Sequence, residues 1–173
     1  MARENEYTSW PRLRSRPGTD RTGRLVIPAL GGFYARLAPV TYAFLRFAFG
    51  VTMLTHGLPK ILGTSHGSMA DPMAGSMNLI SGTLGLPFAP QLAVMVAILE
   101  TFGGIALALG FLTRLIAPMM AVQMAFISIA LGPTWPWIDR GIEYPVMLGF
   151  LALFISFQGG GPFSLDHAVG REL

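Results

Sequence analysis

Four long apolar segments, each near the length of a bilayer crossing, dominate this sequence and leave few folds open to it. A spanning helix needs about 20 largely apolar residues to cross roughly 30 Å of hydrocarbon. The segments run over about residues 40–62, 90–112, 114–132 and 139–157. The last opens on a polar turn, and its Pro145 falls in the first turns, where a missing N–H donor is best tolerated. A backbone inside lipid must satisfy its own hydrogen bonds, so apolar stretches of this length imply helices. The expected fold is all-α: an integral membrane four-helix transmembrane bundle.

Composition agrees. Charged residues make up 12% of the 173, against about 25% in soluble domains. There is no cysteine, which removes disulfides, thiolate metal sites and dithiol chemistry within this chain. Residues 1–35 are broken by Pro11, Pro17, Gly18, Gly23 and Pro28, so they lack the apolar core of a secretory signal. They are expected to form a basic, largely irregular cytoplasmic arm, with Phe33, Tyr34 and Arg36 near the headgroups. The membrane domain then covers residues 36–167, and 168–173 form a cytoplasmic tail.

Basic residues set the orientation. Arg3, Arg12, Arg14, Arg16, Arg21, Arg24 and Arg36 precede the first span, and Arg114 and Arg171 share their side. The opposite side holds Lys60 and Arg140. By the positive-inside rule both termini are expected in the cytoplasm. Basic residues beside an apolar helix more often orient it than bind nucleic acid, so no nucleic-acid partner is expected. The arm instead suits anionic lipid or a docking partner.

The connections differ in kind. Gly110-Phe111-Leu112-Thr113-Arg114 turns the second helix straight into the third. Residues 132–137 (GPTWPW) join the third to the fourth and carry two tryptophans suited to an interfacial belt. The connection over 63–89 is long, with Asp71-Pro72 as a turn or helix start and 73–84 as a candidate short interfacial helix. Long connections in compact domains are often functional.

Ionisable side chains within a span are costly and tend to face the bundle interior. Arg46, Phe49, Met53, His56 and Lys60 follow one another at intervals of 3, 4, 3 and 4, which puts them on one helical stripe. Glu100 lies near the middle of the second span and Glu143 near the start of the fourth. From a rise of about 1.5 Å per residue, Glu100 falls between Arg46 and His56 in depth, while His56 and Glu143 are level. Two uses are open. Arg46 and Glu100 form a structural ion pair, or His56, Lys60, Glu100 and Glu143 form a polar pocket that binds a quinone headgroup and handles protons. A convergence of His56, Lys60 and Glu143 is expected, either as a lock or as a headgroup site. No metal site is expected. The ten methionines are scattered, and only His56 of the three histidines lies in a span, too few for a bis-histidine haem. Gly103-Gly104, one turn after Glu100, suits close helix packing. Gly159-Gly160-Gly161-Pro162 suits a helix C-cap and turn.

Several motifs occur in a distinctive order: Arg46, then His56-Gly57-Leu58-Pro59-Lys60, then Glu100-Thr101-Phe102-Gly103-Gly104. Gly110 to Arg114, Glu143-Tyr144 and Gly161-Pro162-Phe163-Ser164-Leu165-Asp166 complete the series. Over about residues 36–167 the chain resembles the DoxX family of small four-helix membrane proteins. The resemblance implies a bacterial cytoplasmic membrane location and a link to respiratory or redox metabolism. Two functions follow as expectations. The first is an accessory, non-catalytic subunit of a larger membrane redox or energy-converting complex. The second is a quinone-reactive oxidoreductase subunit using His56, Glu100 and Glu143. Neither needs an intrinsic cofactor, and the expected ligand is a quinone or lipid. A transporter is less supported, because no inverted repeat or pair of broken helices is evident.

Overall fold

The computed structural model describes residues 26–139 and 141–170. Most of the expected basic arm, together with Arg140 and Arg171, lies outside the described residues. Among the described residues all regular structure is helical, apart from an isolated bridge between His66 and Met69. In the unit Met1–Ala35, a 3-10 turn at Pro28–Leu30 leads into the first long helix.

Helix α1 runs Gly31–Leu62 and starts nine residues before the expected span. Helix α2, Pro72–Asn78, begins where Asp71 accepts a hydrogen bond from the Ala74 N–H at 2.9 Å, and Pro72 supplies the fixed first φ. A π-helical turn, Leu79–Thr83, extends it. Helix α3, Ala89–Leu109, is interrupted by a second π-helical turn at Leu99–Gly103. Helix α4 is Thr113–Leu131 and α5 is Glu143–Gln158. The short α6, Leu165–Val169, is capped by the Ser164 hydroxyl, which accepts from the His167 N–H. Asp139, expected in the fourth span, belongs instead to a 3-10 turn before α5.

Helices α1, α3, α4 and α5 share one core of Phe49, Met53, Leu107, Ala117, Met120, Met124, Ala152 and Ile155. Much of the remaining apolar surface points outward: Phe44 and Ile129 are 69% exposed and Phe157 77%. Such a belt has no place in water and suits lipid. Three helices, α1 with its leading turn, α3 and α4, are long and apolar enough to cross a membrane. The fourth, α5, is apolar but has 16 residues.

The α3–α4 turn is closed by residues far away in the chain. The Asp166 carboxylate accepts hydrogen bonds from the N–H groups of Leu112 and Thr113 at 2.8 and 2.9 Å. It thus caps the start of α4, where donors would otherwise be orphaned. Asp166 N–H donates to the Gly110 carbonyl. Gly110 has φ +70°, and a Cβ there would collide with the Arg46 guanidinium, so conformation and space both require glycine. Arg46 is buried and donates to the carbonyls of Gly160 and Phe163, and the Tyr42 hydroxyl donates to that of Gly159. One end of the bundle is therefore tied to the segment after α5.

Candidate functional site

Helix α1 packs closely against α3 at Gly57. A Cβ there would lie 2.5 Å from Thr101 Oγ1 and 2.7 Å from the Glu100 Cβ. One turn further on, Lys60 reaches over this contact to Glu100. Its Nζ lies 2.6 Å from Glu100 Oε2, and the two side chains are 12% and 4% exposed. The other oxygen, Oε1, accepts from Gln123 Nε2 on α4, also at 2.6 Å. A carboxylate from α3 is thus held by an ammonium from α1 and an amide from α4. Glu100 sits inside the π-helical turn Leu99–Gly103, a widening that changes the helix register and is frequent at functional sites.

This result corrects the expected Arg46–Glu100 pair. Arg46 spends its hydrogen bonds on the backbone beyond α5, and Glu100 is taken by Lys60. Arg46 and Lys60 are about 21 Å apart along α1 at about 1.5 Å per residue, so one carboxylate cannot serve both. The depth estimate failed because α1 and α3 are not level. Gly57, five residues from the end of α1, faces Glu100, eleven residues from the start of α3. That difference is a stagger of about 9 Å.

A cavity of about 340 Å³ opens beside this group, within the size range of small-molecule sites. His56, Lys60, Glu100, Gln123 and Tyr144 supply polar lining, and the rest is largely apolar, with Met53, Ile80, Ile127 and Leu148 among the walls. His56 is half-buried, and its ring centroid lies 4.7 Å from that of His66, which also lines the cavity. The long connection supplies further wall residues from Met69 to Leu84.

Of the expected site residues, the structure brings His56, Lys60 and Glu100 to one cavity. Glu143 is not among its lining residues; the adjacent Tyr144 is. The cavity wall joins His56 and Lys60 to Glu100. Sequence reasoning missed Gln123, which is 8% exposed. The signal was available, since it is the one amide side chain in the apolar segment 113–131, but a search confined to ionisable groups passes it by. Among the described residues no three His, Asp or Glu side chains gather as a metal-ligand set.

The comparisons with known proteins agree with this architecture. The DoxX family model matches residues 41–132, more than half of the chain, from within α1 to the end of α4. The chain belongs to the DoxX family and is a membrane protein. An uncharacterized protein of Haemophilus influenzae is 28% identical over 139 residues, covering 78% of this chain and 94% of its own length. No solved structure matches.

Proposed function

We propose that this protein is a subunit of a bacterial cytoplasmic-membrane redox assembly, and that its own contribution is a binding site for a quinone-type ligand. One observation carries the reading: a largely apolar cavity with a compact polar group on its wall, built from His56, Lys60, Glu100 and Gln123. A quinone has matching parts, a planar head with two oxygen atoms and an apolar tail. Lys60 and His56 offer donors to a carbonyl oxygen, and the paired carboxylate beside them gives protons a route without a free buried charge. The chain supplies no redox centre in this reading, so electrons come from a partner within the assembly. The basic arm is the docking element, gaining about 1 kcal/mol per basic residue near anionic lipid or meeting an acidic partner face.

The test is ligand extraction followed by titration. Protein purified in nanodiscs is expected to carry extractable quinone and to bind a short-tailed quinone. His56→Leu is expected to keep expression and to weaken binding by about tenfold, the worth of one hydrogen bond to a buried site. A folded native protein that neither carries nor binds quinone overturns the reading and leaves the purely accessory role.

The topology of this reading is four spans with both termini inside. Helix α5 reaches about 24 Å at about 1.5 Å per residue, short of the hydrocarbon thickness by an amount bilayers accommodate through local thinning. The chain has no native cysteine, so single cysteines report cleanly. In intact cells an impermeant thiol reagent is expected to label Ser68→Cys and to spare Ser15→Cys. The reverse pattern rejects the orientation.

A further inference from the structure

We propose that the cavity binds a soft monovalent cation, copper(I), on a histidine–methionine site that the long connection builds against α1. The connection folds back on itself at Gly67-Ser68. There the His66 N–H donates to the Met69 carbonyl at 2.9 Å, and the Met69 N–H donates to the His66 carbonyl at 3.0 Å. Residues that exchange both bonds across an antiparallel bridge are directly opposed, and their side chains leave the same face. His66 and Met69 therefore project together. The His66 ring meets that of His56 on α1, with centroids 4.7 Å apart and planes tilted by 58°. A Cβ at Gly75 on α2 would lie 3.1 Å from the Met69 sulfur. His56, His66, Met69 and Gly75 all line the one cavity. Two imidazoles and a thioether, far apart in sequence, thus share one wall.

The spacing suits a shared ion. With metal–nitrogen bonds of about 2.0–2.1 Å, two imidazoles on one metal have ring centroids roughly 4.5–6 Å apart. The hydrogen bonds of the described residues leave both rings without a protein partner, so no existing bond has to be broken. Neutral imidazole is a common metal ligand, and a thioether beside it selects copper(I) over harder ions. No carboxylate is free to attract a divalent ion instead, because Glu100 is held by Lys60 and Gln123. The same pairing keeps the Lys60 ammonium from acting as a lone positive charge beside the ion. Met69 is 47% exposed, which gives the ion a path in. The site shares His56 with the quinone reading and stands whether or not a quinone binds.

The experiment titrates full-length protein in nanodiscs with copper(I), buffered by bicinchoninate under anaerobic conditions. One ion per chain is expected. His66→Leu and Met69→Leu are each expected to weaken binding by about tenfold or more, since loss of a residue that merely supports a ligand already costs that much. X-ray absorption of the loaded native protein is expected to show both nitrogen and sulfur around the metal. If a variant does not fold, that spectrum decides alone. Absence of copper(I) binding, affinities unchanged in both folded variants, or a metal shell without sulfur overturns the site.

Discussion

Replacing Lys60 with methionine is expected to cost about 3–5 kcal/mol of stability, the range for removing one member of a buried ion pair. The side chains are close in length, so the loss is not one of packing. It arises because Glu100, 4% exposed, keeps its charge site in apolar surroundings with only the Gln123 amide to hold it. Glu100→Gln is expected to cost less, about 1–3 kcal/mol, since an amide at that position can still accept from Gln123 or Lys60. The informative variant is the double Lys60→Met, Glu100→Met. Removing both charges avoids the stranded carboxylate, so the double variant is expected to be more stable than Lys60→Met alone. Reversible unfolding in detergent micelles gives the comparison. A Lys60→Met protein within about 1 kcal/mol of the native one, or a double variant no better than the single, would show that the pair does not hold α1 to α3.

The sequence carried the architecture further than the site. Helical periodicity and apolar length located four helices, because lipid-facing helices carry that signal in every residue. The polar stripe on α1 was legible for the same reason: residues on one helix have a fixed mutual geometry. What could not be read was the relation between helices. A level placement of α1 and α3 pairs Glu100 with Arg46, whereas the Gly57–Thr101 contact sets a stagger. The π-helical turn at Leu99–Gly103 adds a local change of register that no spacing rule announces. Glu143 and Tyr144 are neighbours in sequence, and which of them lines the cavity depends on the rotation of α5, again a property of packing. The connection over 63–89 was recognised as long, but its role as a cavity wall appears only when His66 is seen beside His56.

At the other end of the bundle, Arg46→Met is expected to cost about 2–6 kcal/mol, because it frees two carbonyls at about 1–3 kcal/mol each. Arg46 is 2% exposed and bonds to Gly160 and Phe163, neither of which lies on a helix. Those residues position Asp166, whose carboxylate caps α4 through Leu112 and Thr113. Asp166→Ala acts on the same lock and is expected to cost about 1–3 kcal/mol, the loss of a charged cap with two acceptor bonds. Because the two residues support one segment, their effects should not add: the double variant is expected to fall short of the sum of the singles. Both variants should also make the chain after Gln158 more open to limited proteolysis, since that segment loses its anchors. The polar group at Lys60 lies about 21 Å away along α1 and the nearest cavity residue on that helix, Met53, about 10 Å away, so ligand affinity per folded molecule is expected to stay unchanged. A strictly additive double variant, or an Arg46→Met protein with weakened ligand binding but full stability, would remove the lock and assign Arg46 to the site instead.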